Sequence, residues 1–427
     1  MKIAMMTDAY YPQPNGVAVS VYLYKKYLEK LGHEVYVVTP FGAKTDEKVL
    51  IIGGKSFPWE KNHFVPSSGR LLPIINFLKQ NKIEVIHSHA PFALGFRALA
   101  VQKYLGLPHV HTYHTLLVEY RHYIPKPLRP SAKSVEEFSS WFCNMVNRVV
   151  APTEKIKSEL ISYGVKRPID VVPTGIDVEH FQKPCSSDIR KKFNIDKTCK
   201  LLLYVGRLAH EKNVLFLLDV LKKLREKHLN VHLLFVGDGP AREEILDYAI
   251  EINVDDFITL AGAVNRDELP DYYQQADLFV FASTTETQGL VVLEALAAGT
   301  PVVAVKKMGI ANVLKEHEGA LLVDEPNVHV FAEKVEQILS NHSLYENMRQ
   351  RGKEYVASNW SMEKRVKELL ETYQKALEEG PIQVEFWNNL WVEVMLEKMK
   401  EIYNKIFQDK GGAKGDGVSL SAGSHRR

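Results

Sequence analysis

Short apolar segments rich in β-branched residues alternate along this chain with longer segments of helical periodicity. The first series of short segments reads KIAMMT, EVYVVT, EVIHSH, PHVHTY and RVVAPT. The second series reads CKLLLYVGR, VHLLFVGDG, DFITLAG, DLFVFAS, PVVAVKK and ALLVDE. Alternation of this kind predicts an α/β fold, in which parallel sheets are covered by helices.

The length of 427 residues predicts two domains, because one hydrophobic core rarely organises a chain of this size. The polar stretch at 175–196 separates the two series and is the predicted connection. The predicted units are an N-terminal Rossmann-like domain (1–180), a second Rossmann-like domain (197–361), a further helix (362–380), an amphipathic helical extension (381–410) and a disordered tail (411–427).

Composition excludes several classes of protein. Lysine and arginine number 54 against 52 acidic residues, so the net charge of +2 gives no global field that favours nucleic acid. Cys143, Cys185 and Cys199 have neither disulfide-type nor metal-type spacing, which indicates a reducing, cytosolic compartment. The first apolar run is too short for a secretory signal, and the longest one, at 290–305, contains a glutamate, a glycine and a proline. Any membrane contact is therefore predicted to be peripheral.

The first predicted strand leads into Asn15-Gly16, where backbone amides can approach a ligand closely before a helix begins at about Val17. The spacing of glycines is not GxGxxG, which argues against a dinucleotide site. An ordinary strand-to-helix turn explains this segment equally well.

Two cations follow the first strand of the second series. Arg207 and Lys212 lie in a predicted loop that runs into a helix. An arginine fork and a lysine point charge placed there can bind a diphosphate. The alternative is that both are solvated surface cations.

Two glutamates frame the start of a later helix. Glu286 is placed in a loop, and Glu294 lies about one turn inside a helix that starts near Gly289. The free N–H groups of that helix attract phosphate, and Glu286 can accept hydrogen bonds from sugar hydroxyls. An unpaired carboxylate at Glu294 is costly among apolar neighbours, so its predicted partner is a ribose diol. The alternative is a buried structural ion pair.

Histidines gather at two strand ends of the first series. His109 and His111 share one face of a strand, whereas His114 lies beyond its end, where active-site loops emerge. No cysteine or carboxylate joins them at ligand spacing, so a metal site is not predicted. His114 is the predicted cleft residue, and His87 and His89 are predicted to be structural.

Taken together, these motifs resemble family 4 of the retaining glycosyltransferases, which has the GT-B fold of two Rossmann-like domains facing a cleft. The resemblance covers residues 1 to 380 through NGV, VHTYHT, APTEKI, VVPTGID, GRLAHEKN, VGDGP and the spacing of Glu286 and Glu294. It implies an N-terminal acceptor domain, a C-terminal nucleotide-sugar domain and a helix at 362–380 that crosses back. The implied donor site consists of Gly16, Arg207, Lys212, Glu286, Thr287, Gly289, Leu290 and Glu294, and the implied catalytic residues are His114, Arg207, Lys212 and Glu286.

The resemblance also implies a reaction. Arg207 and Lys212 would hold the donor diphosphate, and the acceptor would attack on the face that the phosphate leaves, without a metal or other cofactor. The TETQGL, EYRHYIPK and FCNMVNRVVAPT segments look most like enzymes that glucosylate 1,2-diacylglycerol with UDP-glucose. Other acceptors, such as a phosphoinositol, a carotenoid or a glycan, remain open, as do a UDP-sugar epimerase and a non-catalytic nucleotide-binding protein.

The segment at 120–133 combines basic and aromatic residues, which supports a lipid acceptor at an anionic membrane surface. Its predicted acceptor or membrane contacts are Tyr120, Arg121, Tyr123, Lys126 and Arg129. The alternative is a flexible loop over the cleft.

An apolar stripe at helical spacing between residues 384 and 406 is predicted either to bind membrane or to dock on the protein. The predicted location is cytoplasmic, at the inner face of the cell membrane.

Overall fold

The computed structural model describes residues 1–13, 15–42, 46–57, 60–66, 71–114, 116–119, 121, 129–286 and 288–383. Within these ranges, the N-terminal domain has nine strands and five α-helices. These elements are β1 (Lys2–Met6), α1 (Gly16–Lys30), β2 (Glu34–Thr39), β3 (Val49–Ile51), β4 (Gly54–Phe57), β5 (Glu60–Pro66), α2 (Leu72–Gln80), β6 (Val85–Ser88), α3 (Ala93–Leu105), β7 (His109–Thr112), α4 (Ala132–Asn144), β8 (Arg148–Ala151), α5 (Glu154–Ser162) and β9 (Ile169–Val171).

Seven of these strands form one parallel sheet in the order β3-β2-β1-β6-β7-β8-β9. Strands β4 and β5 form a separate antiparallel pair, which the sequence patterns did not predict. The strand order reverses between β1 and β6. In open α/β sheets such a switch point opens a crevice at the carboxyl ends of the strands, where ligands bind.

The second domain repeats this plan with six parallel strands in the order β12-β11-β10-β13-β14-β15, and its switch point lies between β10 and β13. The connection carries α6 (Val178–Phe181) and α7 (Ile189–Lys192). The remaining elements are β10 (Lys200–Val205), α8 (Val214–Glu226), β11 (Val231–Val236), α9 (Arg242–Glu251), β12 (Ile258–Gly262), α10 (Leu269–Gln275), β13 (Leu278–Phe281), α11 (Leu290–Ala298), β14 (Val302–Val305), α12 (Met308–Val313), β15 (Ala320–Val323), α13 (Val328–Ser340), α14 (His342–Asn359) and α15 (Met362–Glu379).

Helix α15 packs on the N-terminal domain, although it follows the second domain in the chain. Its buried residues Val366, Leu369 and Tyr373 belong to the same apolar cluster as the buried face of α1. The chain crosses between the domains twice, and Ile176 of the first crossing exchanges backbone hydrogen bonds with Trp360 and Met362 of the second at 2.7 and 3.0 Å.

The α/β prediction and the two Rossmann-like domains are confirmed. Small differences concern helix ends, since α1 begins at Gly16 rather than Val17. Residues 384–427, which include most of the predicted amphipathic extension and the whole tail, lie outside the described residues, as does Thr287. Within the described ranges no helix is long and apolar enough to span a bilayer.

Candidate active site

The loops after β10 and β13 meet at the switch point of the C-terminal sheet. Lys212 ends a single 3₁₀ turn in the first loop. Its Nζ lies 2.7 Å from Oε1 of Glu286 in the second loop, and the two side chains are 14% and 22% exposed. The hydroxyls of Ser283 and Thr285 donate to the carbonyl of Glu211 at 3.4 and 3.3 Å. The two loops are thus joined by an ion pair and by hydrogen bonds.

Arg207 is partly buried in the first of these loops. The Tyr204 hydroxyl donates to the Arg207 carbonyl at 2.9 Å, which fixes the backbone there. The neighbouring loop after β11 packs against it through Gly237, where a Cβ would lie only 1.9 Å from the carbonyl oxygen of Gly206. Only glycine permits that approach. The loop that carries both predicted cations is therefore held in place from two sides.

Helix α11 begins at Leu290, directly after Gly289. Gly289 adopts a left-handed conformation with φ of +76°, which other residues rarely tolerate. The first N–H groups of the helix have no partner within it and carry partial positive charge. Together with Lys212 and Arg207, they collect positive charge at the switch point, an arrangement suited to a diphosphate.

Glu294 is buried inside α11, at 3% exposure, and both of its oxygens are hydrogen-bonded. Oε1 accepts from Nη1 of Arg266 at 2.8 Å, and Oε2 accepts from the Tyr273 hydroxyl at 3.0 Å. The sequence left two alternatives for Glu294, a ribose diol and a buried ion pair. The structure contains the ion pair, and the ribose contact stays a prediction. Arg266 was not singled out from the sequence; the signal that could have found it is its place in the loop after a strand of the second series, four residues beyond the end of β12 at Gly262.

Arg266 also faces a cavity of about 160 Å³ to which both domains contribute. Tyr22 and Lys26 of α1 line it from one side, and His180 and Arg266 from the other. Asp177 of the connection joins the two sides, because it pairs with Lys26 at 2.5 Å. Nη2 of Arg266 is buried and has no hydrogen-bond partner among the described residues. A ligand oxygen in the cavity could satisfy that nitrogen.

Five histidines occupy the ends of β6 and β7, where they divide between the two faces of the sheet. On one face, Ser88 lies 2.7 Å from Nε2 of His109 and 2.8 Å from Nδ1 of His111. On the other face lie His87, His89 and, beyond the strand end, His114. His87 is held at both ring nitrogens, by Tyr373 at 2.6 Å and by Thr112 at 2.7 Å. The shared face of His109 and His111 therefore agrees with the period of the strand.

His114 is half-buried, and its Nε2 lies 3.0 Å from Nδ1 of His89. Burial lowers the pKa of His114 to about 4 and that of His89 well below its usual value. Both imidazoles are therefore neutral at physiological pH. The sequence indicated the position of His114 at the end of the strand but not its hydrogen bond to His89.

Asp8 is a residue of the N-terminal switch point that sequence reasoning missed. It follows β1 and accepts a hydrogen bond from the Leu94 amide, in the first turn of α3, at 3.2 Å. Burial raises its pKa to about 7, against lowering contributions from that hydrogen bond and from Arg97. Gly16 lies across the same loop, and a Cβ there would meet no other atom of the described residues within 4 Å, its two chain neighbours and the nearby backbone of its own helix aside. The space beside Gly16 is open to a ligand.

Only part of the predicted acceptor and membrane segment is described. Arg121 and Arg129 are within the described residues, whereas Tyr120, Tyr123 and Lys126 lie outside them. Arg121 donates to the carbonyls of Val118 and Pro130 at 3.1 and 3.2 Å, which joins the two ends of this segment. The role of the segment in binding an acceptor or a membrane stays a prediction.

The sequence matches two family descriptions, Glycosyltransferase Family 4 over residues 14–180 and Glycosyl transferases group 1 over residues 186–355. The alpha-monoglucosyldiacylglycerol synthase of Streptococcus pneumoniae is 31% identical over 79% of this chain and 82% of its own length. The synthase of the same name from Acholeplasma laidlawii is 32% identical over 71% of this chain and 80% of its own length.

The fold is shared with Anabaena HepE in complex with UDP, with a TM-score of 0.71 over 88% of this chain and 100% of that one, at 15% identity. Two Rossmann-like domains joined in this way define the GT-B class of glycosyltransferases. This chain belongs to the group 1 and family 4 glycosyltransferases, and it is an enzyme of the hexosyltransferase type.

Proposed function

We propose that this protein transfers glucose from UDP-glucose to 1,2-diacylglycerol, with retention of the anomeric configuration and without a metal. The observation that carries the proposal is the Lys212–Glu286 pair at the C-terminal switch point, beside Arg207 and the start of α11. The names of the relatives, alpha-monoglucosyldiacylglycerol synthases that match over at least 80% of their length, support the acceptor and the glucose. Structures of Anabaena HepE with UDP and with UDP-glucose support the donor class.

The proposed chemistry centres on the leaving group. The bond from the sugar C1 to the β-phosphate oxygen breaks, the hydroxyl oxygen of the acceptor bonds to C1 on the same face, and the hydroxyl proton passes to the departing phosphate. Negative charge grows on the phosphate, where Arg207, Lys212 and the N-terminus of α11 stabilise it. Glu286 holds Lys212 and accepts from a sugar hydroxyl. No carboxylate nucleophile of the kind used by retaining hydrolases is needed.

The acceptor is proposed to arrive from the cytoplasmic face of the cell membrane. The basic and aromatic segment that contains Arg121 and Arg129 supports this, since each cation near an anionic surface contributes about 1 kcal/mol. We therefore also propose that the enzyme binds peripherally to this face of the membrane.

The test is UDP release from UDP-glucose in the presence of anionic vesicles, with and without 1,2-diacylglycerol. We expect release that depends on diacylglycerol and falls by roughly 100- to 1000-fold in Lys212→Ala and in Glu286→Ala, because a preorganised charge at the phosphate or its support is lost. The α-linkage of the product, read from the NMR signal of its anomeric proton, tests retention. Excess EDTA should leave the rate unchanged.

Lys227→Ala is the matched control, because Lys227 pairs with Glu336 at 2.5 Å in the same domain, and these two side chains are 32% and 38% exposed. Its rate should stay within about twofold of wild type, as expected for a surface pair. Release without an acceptor, or release stimulated only by a phosphoinositol, a carotenoid or a glycan, would replace the diacylglycerol proposal. Conversion of UDP-glucose to another UDP-sugar would indicate an epimerase. Donor binding without turnover would indicate a non-catalytic protein.

A further inference from the structure

His89 lies between two other histidines on the α15 face of the N-terminal sheet. Its ring is 4.0 Å from the ring of His87 and 5.3 Å from that of His114, measured between centroids. His89 is 1% exposed, whereas His114 retains solvent-accessible surface. A fully buried side chain thus contacts His114, which the family resemblance implies to be catalytic.

A single hydrogen bond joins the two imidazoles, and only one of the two contacting nitrogens can carry the proton. Nδ1 of His89 and Nε2 of His114 are 3.0 Å apart, so one nitrogen donates and the other accepts. Because both rings are neutral, each carries one proton, and the donor at this contact determines the tautomers of both.

The remaining nitrogen of His89 identifies the donor. Nε2 of His89 is buried and has no hydrogen-bond partner among the described residues. Among backbone groups, a buried N–H without an acceptor is rarer than a buried carbonyl without a full set of donors. We expect the same order for the ring nitrogens. The proton of His89 therefore resides on Nδ1, and Nε2 carries only its lone pair. His114 must then accept at Nε2 and carry its own proton on Nδ1.

We propose that His89 is a positioning residue, which fixes the orientation of His114 and its tautomer with the proton on Nδ1. His114 then presents an N–H donor, and not a base, to a sugar hydroxyl of the donor or acceptor. The catalytic part of this inference rests on the proposed function, whereas the tautomer is a property of the free protein.

His87 extends the arrangement to the crossing helix. Its two nitrogens are occupied by Tyr373 of α15 and by Thr112, so its ring is fixed and gives His89 a rigid surface to pack against. Tyr373 is fully buried. The support of His114 consequently includes a residue that follows the second domain in the chain.

The experiment compares two amide variants in the full-length protein. The amide of His89→Asn can place a donor near the position of Nδ1, whereas the longer His89→Gln places it near Nε2 and leaves His114 without its partner. His109→Gln is the matched control, because His109 is equally buried in the adjacent strand but bonds to Ser88 on the opposite face. Histidine labelled with ¹⁵N reports which nitrogen of His114 is protonated, and His114→Gln identifies the signals.

We expect wild type, His89→Asn and His109→Gln to show His114 with its proton on Nδ1, and His89→Gln to show a mixture of tautomers. In the transfer assay, kcat of His89→Gln should fall roughly 10- to 100-fold with KM for the donor nearly unchanged, because misplacement of a contact group affects the reacting geometry. An unchanged His114 tautomer in His89→Gln overturns the inference. If His89→Gln shows the expected change of the His114 tautomer relative to wild type, but wild type transfers no sugar, the proposed function fails and the inference stands.

Discussion

The two domains share a strand order but differ in the chemistry at the point where that order reverses. At the C-terminal switch point, Lys212 pairs with Glu286, and Glu294 of α11, the helix that begins there, pairs with Arg266 of the loop after β12. At the N-terminal switch point the groups are imidazoles that burial keeps neutral and the carboxyl of Asp8, whose pKa burial raises. The same topology therefore supports two ion pairs in one half and, beside Arg97, mainly neutral polar groups in the other.

This difference follows the chemistry proposed for each half. A nucleoside diphosphate brings negative charge, so its site needs cations, and the paired carboxylates limit the free-energy cost of placing them there. A neutral alcohol acceptor needs hydrogen-bond donors and acceptors, which neutral imidazoles supply. The comparison can be sharpened or broken by three substitutions.

Arg266→Met should have the largest effect on stability. Among the described residues, it leaves the buried carboxylate of Glu294 with only the Tyr273 hydroxyl as a partner. Removal of one member of a buried ion pair typically lowers the free energy of unfolding by about 3–5 kcal/mol. Chemical denaturation with urea, followed by circular dichroism, measures the change.

The double variant Arg266→Met with Glu294→Gln separates the ion pair from packing. Because the uncompensated charge is gone, we expect it to be more stable than Arg266→Met alone. If the two variants are equally unstable, Arg266 stabilises the domain through contacts such as its position 5.4 Å from the Phe181 ring, and the charged half of the comparison is wrong.

Ser88→Ala tests the N-terminal domain, where the comparison predicts neutral imidazoles. Ser88 is the shared partner of His109 and His111, and all three side chains are fully buried. Loss of the hydroxyl leaves two buried ring nitrogens unpaired, so unfolding should become easier by about 1–3 kcal/mol. Burial lowers the pKa of His109 to about 3 and holds the pKa of His111 well below its usual value. The destabilisation should therefore be the same at pH 6 and pH 9.

Ser158→Ala is a suitable comparison, because this serine is exposed and bonds only to a carbonyl of its own helix α5. Its effect should be within about 0.5 kcal/mol. A destabilisation by Ser88→Ala that grows or shrinks between pH 6 and pH 9 would mean that a histidine of this face is charged in the folded protein.

The sequence predicted the fold well because strand and helix periods are local properties. The loops that carry Arg207, Lys212 and Glu286 were predicted for the same reason, since each directly follows a recognisable strand. The contacts between Arg266 and Glu294, 28 residues apart, and between His89 and His114, 25 residues apart, were not predicted. The histidine contact depends on β6 and β7 being neighbours in the sheet, and the Arg266–Glu294 contact on how α11 packs beside the loop after β12. Periodicity contains no information about either arrangement.

Asp8→Asn gives the smallest expected effect and tests the neutral half by its pH dependence. With a pKa of about 7 when folded and about 4 when unfolded, Asp8 stabilises the fold least when it is ionised. Its contribution is fully present below about pH 4 and is lost as the pH rises through 7. Because the side chain is partly exposed, we expect the stability of Asp8→Asn relative to wild type to rise by about 1–2 kcal/mol between pH 4 and pH 8.

Asp271 provides a control of opposite sign in the second domain. Burial acts to raise the pKa of Asp271, but hydrogen bonds from the amides and hydroxyls of Ser186 and Ser187 outweigh it and lower the pKa. Its contribution is present at neutral pH and is lost as the pH falls through the folded pKa, so Asp271→Asn should be destabilising at pH 7 and less so in acid. If Asp8→Asn follows the trend of Asp271→Asn, Asp8 is ionised in the folded protein at neutral pH, and both switch points are charged.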